Sequence, residues 1–193
     1  HYPLRRQRQM CIRDRIITVV RDCEAILIPS GDHIKLKEGT RVRITQALGG
    51  DYTLFVNGNL VKITGKDADA IGMKQETKEK LGVNHKPGDS VKEEQVWEQL
   101  RTVYDPEIPV SIVELGLVYD LEITPKENGD FVHIKMTLTA PGCGMGPAIA
   151  QDVEDKIRLI PGVNDILVDI VWDPIWNRDM MSDEAKLQPV SYT

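Results

Sequence analysis

The part of the sequence best suited to chemistry is a cysteine in a glycine-rich loop. Cys143 lies in Pro141-Gly-Cys-Gly-Met-Gly146, between a strand-like run and a helical pattern that begins near Gly146. Unpaired backbone N–H groups and the positive end of a helix dipole face such a position. We therefore expect a lowered thiol pKa and a reactive, accessible thiolate. Gly142, Gly144 and Gly146 would allow a sharp turn and leave little bulk around the sulfur.

The same loop has other interpretations. Free cysteine is among the most buried residue types, so Cys143 could instead be a packing residue, and the residue types alone leave both alternatives open. A phosphate-binding loop is disfavoured, because GCGMG lacks the Lys-Ser/Thr pair of such loops and the following helix has no lysine before Lys156.

Acidic residues around two prolines form a second candidate group. Asp105 and Glu107 lie in Asp105-Pro-Glu-Ile-Pro109, and Glu114 follows. In a structural interpretation, Asp105 caps a short helix or bonds the loop backbone. We favour a structural role for Glu107 and Glu114. In a functional one, Asp105 or Glu107 lies beside Cys143 as a hard ligand or proton acceptor. Both interpretations stay open for Asp105.

Histidine and tryptophan give weaker signals in the same half of the chain. His133 lies within a strand-like run, where we expect it to face solvent or the sheet rather than bind a ligand. Trp172 and Trp176 follow the last predicted strand. Because tryptophan is favoured at interface hot spots, Trp176 is our candidate for a partner-binding residue. The alternative is that it closes the end of the core.

Both ends of the chain differ from the rest. The first fifteen residues, HYPLRRQRQMCIRDR, hold five arginines and one aspartate with no strand or helix period, and they resemble translated sequencing adapter. We interpret residues 1–15 as a non-native leader and residues 190–193 as a non-native tail, and we exclude them from fold reasoning. Without the leader, the formal charge falls from −6 to −10.

Composition excludes several function classes. An apolar content of 41% and a charged content of 28% fit a folded globular chain. No apolar run approaches the roughly 18 residues that cross a bilayer. The acidic body disfavours nucleic acid, whose phosphates require clustered Lys or Arg. Outside the leader only Cys23 and Cys143 remain, with no Cys-x-x-Cys pair, which favours a reducing, cytoplasmic setting.

Turn signals divide the chain into two parts and a connection. Residues 16–72 read as a small β-rich domain, residues 73–90 as a polar linker, and residues 91–188 as a second domain. In the first domain, short runs separated by turns, including Asn57-Gly58, predict a small barrel or sandwich. Its strand-like runs are Ile16–Val20, Glu24–Ile28, His33–Leu36, Arg41–Leu48, Tyr52–Val56 and Leu60–Ile63.

The second domain has a different pattern of apolar residues, with helical periods as well as strand-like runs. Ser90 and Glu93 match a capping box, and Val96, Leu100 and Val103 would share one face of the helix that follows. We predict a short helix after Asp105-Pro106, strands at Leu117–Thr124, Phe131–Thr139 and Asn164–Trp172, and a helix from Pro147 to Ile160. The fold class is therefore α+β, with the β-rich domain followed by a compact α/β sandwich in the order αα-β-β-α-β.

Several long strings of the chain resemble the SufT family of iron–sulfur assembly proteins, of the MIP and PaaD type. They are DPEIPVSIVELGLVYD (105–120), MTLTAPGCGMG (136–146), IPGV (160–163) and VWDPIWN (171–177), with SGDHIKLKEGT (30–40), ITQALGGDYTL (44–54) and GKDADAIG (65–72) in the β-rich domain. The resemblance spans about residues 20–187. One departure is Ile175, where the family often has a second proline.

The resemblance implies a maturation factor for iron–sulfur proteins and not an enzyme. In that family the cysteine matching Cys143 is the reactive residue, and Asp105 and Glu107 match its acidic DPE element. The implied partners are SUF assembly or carrier proteins and apo iron–sulfur clients. Because a cluster usually takes four ligands, one chain does not suffice. Two chains would share a cluster through Cys143 as a homodimer, or the protein would act as an adaptor with a transient bond.

Two alternatives to a maturation factor stay open. One is a pure protein-interaction module without cluster chemistry. The other is an enzyme with Cys143 as nucleophile, which would require a general base within hydrogen-bond reach, and His133 is the histidine available in residues 91–188.

Overall fold

The computed structural model describes residues 15–74 and 90–187. Apart from Arg15, the predicted leader lies outside these residues, as do most of the predicted linker and the predicted tail. The chain forms two compact units, with the division between Thr77 and Lys78. Together they are a mixed α+β structure with two sheets and few helices. Within the described residues, no helix has both the length and the apolar character to cross a membrane.

The first unit contains a six-stranded antiparallel sheet. The spatial order of its strands is β1-β4-β5-β6-β2-β3, so β1 and β3 are the outermost strands. Each predicted strand-like run overlaps one of these strands, with ends that agree to within two residues, which confirms their positions. The strands are β1 (Ile16–Thr18), β2 (Cys23–Ile28), β3 (His33–Leu36), β4 (Arg41–Leu48), β5 (Asp51–Val56) and β6 (Asn59–Ile63).

A two-residue turn sets the register of the β5–β6 hairpin. Asn57 and Gly58 have φ angles of 50° and 86°, which is the left-handed backbone that such a turn requires. Val56 consequently pairs with Asn59, and the pairing continues along both strands. The Asn-Gly signal in the sequence is thus confirmed.

Alternate strand residues form the core of the first unit. Ile44, Leu54 and Val61 are fully buried there, and Cys23 is 4% exposed among them. Cys23 is therefore a packing residue of this core. A 3₁₀ helix, Gly65–Ile71, follows β6, and Arg21 donates to two of its aspartates.

The second unit packs two helices against a three-stranded sheet. Its strands are β7 (Val118–Thr124), β8 (Asp130–Met136) and β9 (Val163–Ile170), and its helices are α1 (Glu93–Leu100), α2 (Gly146–Ile157) and the short α3 (Asp183–Lys186). A 3₁₀ turn, Arg178–Met180, precedes α3.

Sheet topology decides which loops meet in the second unit. β7 and β8 are antiparallel, whereas β8 and β9 are parallel and joined by α2. The loop after β8 and the segment after β9 therefore leave the sheet at the same end. The loop before β7 enters at that end too.

The helical stripes predicted from periodicity are buried. Val96, Leu100 and Val103 are fully buried after the start of α1, and the α2 stripe of Ile149, Val153 and Ile157 is at most 1% exposed. Packing these stripes on one sheet face builds the second core. Ile160 is also buried, although α2 ends before it.

The predicted short helix after Asp105-Pro106 is wrong. Residues 106–110 form bends and residues 112–116 form hydrogen-bonded turns, and an isolated bridge pairs Tyr104 with Ser111. Proline at 106 and 109 has no N–H to donate, so a helical ladder cannot run through this segment. The observed order is therefore α-β-β-α-β before the short C-terminal α3.

The predicted capping box is also wrong in position. Helix α1 begins at Glu93, so Lys92 and not Ser90 stands at its N-cap. The side-chain oxygen of Gln95 accepts the backbone N–H of Lys92 at 3.0 Å, which satisfies one of the donors that a helix start leaves unpaired.

Candidate functional site

The Cys143 loop joins the end of β8 to the start of α2. The backbone N–H of Cys143 donates to the carbonyl of Ala140 at 3.3 Å, and the Cys143 carbonyl accepts the N–H of Gly146 at 3.1 Å. These two bonds hold the cysteine in a turn that runs directly into the helix. Its side chain is half-buried, in contrast to the buried Cys23.

Two glycines of this loop have separate physical reasons to be glycine. Gly142 has a φ of 80°, a left-handed backbone that side chains rarely adopt. Gly146 lies so close to its neighbours that a Cβ atom would come 2.7 Å from Leu138 Cδ1 and 3.3 Å from Ile170 Cδ1. Gly146, the first residue of α2, therefore lies against Ile170 at the end of β9 and Leu138 just after β8. Gly144 does not have a positive φ, so its backbone angles do not require glycine.

The pKa of the Cys143 thiol is raised, so the predicted lowering is wrong. Burial is the largest cause, because it penalises the charged thiolate. The backbone N–H of Met145 donates to the sulfur and acts in the opposite direction. The negative charges of Asp105 and Glu107 raise the pKa further. Burial and the two carboxylates thus raise the thiol pKa by more than the N–H of Met145 at the start of the helix lowers it.

The acidic turn is near enough to the cysteine for its two negative charges to act on the thiol. Asp105 is 7% exposed, and its Oδ1 accepts the backbone N–H groups of Glu107 and Ile108, both at 2.8 Å. Asp105 therefore shapes the turn that carries Glu107. Burial and the nearby Asp105 charge both raise the pKa of the Glu107 carboxyl. The structure thus brings together Cys143, Asp105 and Glu107.

Glu114 and His133 have partners elsewhere. Glu114 bonds Ser182 twice: its carboxylate accepts the Ser182 hydroxyl, and its backbone carbonyl accepts the Ser182 N–H at 2.9 Å. His133 Nε2 lies 2.7 Å from Asp169 Oδ2 on the neighbouring strand. The first contact anchors the C-terminal segment and the second links β8 to β9.

Trp176 is tied to the fold, whereas its neighbours are exposed. Its Nε1–H donates to the carbonyl of Leu115 at 2.7 Å, and its ring is half-buried. Trp172 is 42% exposed and Ile175 is 73% exposed. Trp176 stays a prediction for a partner-binding residue, and the sequence analysis did not select the more exposed Ile175. No local signal separates the two tryptophans, because the deciding acceptor lies in a distant loop.

The described residues of one chain do not assemble a metal site. Within residues 15–74 and 90–187, no group of three His, Cys, Asp or Glu side chains could hold a metal ion. Cys143 therefore offers a single thiolate, with carboxylates near it but no complete ligand set. An iron–sulfur cluster would need ligands from outside the chain.

Comparison with known proteins identifies the second unit. Residues 93–170 match the family described as "Iron-sulfur cluster assembly protein". A "Fe-S protein maturation auxiliary factor" of Porphyromonas gingivalis is 45% identical over 96 residues, which are 50% of this chain and 89% of the relative. The chain belongs to the SufT family. The resemblance found in its sequence is thus confirmed for the second unit, and for the β-rich domain it stays a prediction.

Two further relatives differ in how much of their own length this chain covers. The "Fe-S protein maturation auxiliary factor SufT" of Staphylococcus aureus is 44% identical over 44% of this chain and 93% of the relative. An "Iron-sulfur cluster carrier protein" of Deinococcus radiodurans is 34% identical over 36% of this chain, but this covers only 19% of the carrier. SufT relatives thus match in nearly full length, and the carrier contains a related segment within a larger chain.

Proposed function

We propose that this protein is an iron–sulfur maturation factor that uses Cys143 to carry a cluster or to contact its carrier and client proteins. The observation that supports this best is the half-buried Cys143 thiol beside Asp105 and Glu107, inside the region that matches the assembly family. The cluster is cargo in this proposal, and the protein is not an enzyme.

The ligand count favours a shared or transient mode over a self-contained cluster site. Cys23 is buried in the core of the other unit and Cys143 stands without a second thiolate among the described residues. Either two chains each contribute Cys143 to one cluster, with Asp105 or an external thiol completing the ligand set, or Cys143 makes one short-lived bond during transfer. In both modes a cluster passes by exchange of thiolate ligands and no iron changes its redox state.

We place the protein in the cytoplasm among assembly proteins, carriers and apo clients. The carrier relatives support a carrier protein as partner, because there a segment similar to this chain is fused to a larger carrier. The described cysteines, Cys23 and Cys143, are both free, which suits a reducing compartment.

A thiol enzyme is the weaker alternative. A cysteine nucleophile is usually activated by a base within hydrogen-bond reach, yet His133 bonds Asp169. The raised pKa of Cys143 also disfavours a permanently ionised nucleophile.

A complementation experiment tests the proposal. In a strain that lacks its own family member, we expect Cys143→Ser to lose maturation of iron–sulfur enzymes and Cys23→Ser to retain it. Cys23 is the matched control, because it makes the same atomic change at a buried packing site. Full activity of Cys143→Ser would contradict a role for the thiol and leave an interaction module.

Anaerobic reconstitution with iron and sulfide separates the carrier from the adaptor. A shared cluster predicts a visible chromophore that requires Cys143, with one cluster for two chains in sedimentation and iron analysis. If the wild-type chain forms no such chromophore, the cluster-bearing version is wrong and the adaptor version stands.

A further inference from the structure

The segment after β9 presents an unusual amount of exposed apolar surface. Trp172 is 42% exposed and Ile175 is 73% exposed, and they enclose Asp173 and Pro174. Large exposed apolar side chains in a cluster are typical of interaction sites. We refer to residues 172–175 as the Trp172–Ile175 surface.

A pocket adjoins this surface. Its volume is about 620 Å³, and it is lined mainly by apolar atoms, with a lysine and an aspartate as its charged members. Its lining includes Val118, Tyr119, Lys135, Val171, Asp173 and Met180. The pocket is open to solvent and has room for a bulky side chain from another protein.

The surface is held in place on both sides. The Tyr119 hydroxyl donates to the Pro174 carbonyl at 2.8 Å, and Trp176 donates to the Leu115 carbonyl at 2.7 Å. Ile175 lies between these two anchors, so its exposed side chain does not depend on a freely moving loop. A preformed surface loses less conformational entropy on binding.

Charge indicates what this surface would accept. The exposed Asp173 has no hydrogen bond or ion pair with any described residue, whereas Lys135 in the same pocket is held by Asp120 at 3.0 Å. The net negative charge available to a partner is therefore that of Asp173. A lysine or arginine placed next to an apolar side chain would complement both features.

We propose that the Trp172–Ile175 surface and its pocket bind a short segment of another protein, in which a bulky apolar side chain stands beside a lysine or arginine. The apolar side chain enters the pocket lined by Val118, Tyr119 and Met180, and the cation faces Asp173. This rests on the proposed function, since the partner is then the carrier or client that exchanges a cluster with Cys143.

The position of the surface fits that role. β8 and β9 are parallel, so the Cys143 loop and the Trp172–Ile175 surface leave the sheet at the same end. A Cβ atom at Gly146 would come 3.3 Å from Ile170 Cδ1, so the start of α2 lies close to the end of β9. A partner held on the surface would therefore be kept close to the cysteine, which raises its local concentration there.

A second copy of this chain is a poorer occupant. The chain carries a net charge of −6, so a second copy is on balance less complementary to Asp173 than a basic segment of another protein. A stable interface also buries about 800 Å² on each partner, which two exposed side chains do not supply. The surface suits a weak, transient contact with a basic segment.

A peptide array tests the chemistry without requiring a known partner. The full chain is applied to short alanine-based peptides that vary one position among apolar residues and the next among Lys, Arg, Asn and Asp. We expect binding where a bulky apolar residue precedes or follows Lys or Arg, and about tenfold weaker binding when Asp replaces the cation. Absence of binding, or a preference for Asp, overturns the proposal.

Tryptophan indole signals locate the binding site in solution. In a ¹H–¹⁵N spectrum of the full chain, the selected peptide should shift the indole signal of Trp172. The signal of Trp97, whose Nε1–H donates to Glu93 on α1, should stay in place and serve as the internal control. A Trp172 signal that does not move overturns the proposed location.

Variants separate this inference from the proposed function. We expect Ile175→Ser and Asp173→Asn to weaken peptide binding about tenfold and to lower maturation in the complementation strain. Leu167→Ser is the matched control, because Leu167 is 44% exposed on β9 away from this segment. Unchanged peptide binding by Ile175→Ser overturns the inference. Cys143→Ser should still bind the peptide, so its effect on maturation tests the role of the thiol separately.

Discussion

Cys143 and Asp105 come from different loops and are electrostatically coupled. Burial raises the pKa of the Cys143 thiol, and the carboxylate of Asp105 raises it further, while the N–H of Met145 opposes both. The neutral thiol therefore persists to higher pH than in a free cysteine. Because Asp105 also accepts two backbone N–H groups, one residue both shapes its own turn and contributes to the raised pKa of the cysteine.

Replacing Asp105 by Asn tests this coupling. Asn retains an oxygen that can accept the N–H groups of Glu107 and Ile108, but it removes the negative charge. We expect a lower Cys143 pKa, so that alkylation by iodoacetamide becomes severalfold faster at a fixed, mildly alkaline pH and its pH profile moves to lower pH. Labelling of the Cys143 peptide is followed by mass spectrometry.

Glu114→Gln is the control for that experiment. It removes an equal charge from the same connecting segment, but Glu114 bonds Ser182 and is not among the groups that shift the Cys143 pKa. Its alkylation profile should match that of the wild type. Identical profiles for Asp105→Asn and wild type would show that the Asp105 charge does not reach the sulfur.

Two glycines with similar backbone angles predict different costs of substitution. Gly142 and Gly116 have φ angles of 80° and 69°, but a Cβ at Gly142 would meet no atom within 4 Å, whereas one at Gly116 would collide with the backbone carbonyl of Met180. We expect Gly142→Ala to cost about 1–2 kcal/mol through backbone strain alone. Gly116→Ala should cost about 1–3 kcal/mol more, because the Met180 segment must move.

Urea unfolding followed by circular dichroism measures both free energies of unfolding. If the two variants are equally stable, the close approach of Gly116 to Met180 does not exist in solution.

A buried lysine joins α2 to the segment that follows α1. Lys156 is 3% exposed, and its ammonium lies 2.7 Å from the Thr102 carbonyl and 3.0 Å from Asp152. Lys156→Met should lower the free energy of unfolding by about 3–5 kcal/mol, because it leaves the largely buried Asp152 carboxylate without this partner. Thermal or urea unfolding measures the change.

The double variant Lys156→Met with Asp152→Leu serves as the control for the lysine experiment. Removing both charges should recover much of the stability, since apolar replacement of a buried pair is often neutral. A double variant that is no more stable than Lys156→Met would contradict the argument.

Local patterns predicted much of the fold because they act over short distances. The Asn57-Gly58 turn, the six strands of the first unit and the buried stripes of α1 and α2 follow from turn chemistry and periodicity. The helix predicted after Asp105 failed because the Asp105 side chain takes two backbone N–H groups and two prolines remove others.

The candidate site was less predictable because its properties depend on contacts between distant segments. The sequence places Cys143 before a helix, which alone suggests a lowered pKa. Its burial and the charges of Asp105 and Glu107 come from tertiary structure and reverse the direction. Which of Trp172 and Trp176 is anchored to the fold likewise depends on the Leu115 carbonyl in another loop.

The two tryptophans at this end of the sheet should therefore behave differently in solution. Trp176→Phe removes the indole donor to Leu115, leaves that carbonyl unpaired and should cost about 1 kcal/mol of stability. Trp172→Phe changes an exposed ring and should stay within about 0.5 kcal/mol. Hydrogen exchange of the wild-type indoles provides an independent measurement, with slow exchange for Trp176 and fast exchange for Trp172. If the two indoles exchange at the same rate, Trp176 is not anchored, and it becomes available as the partner-binding residue in place of Trp172.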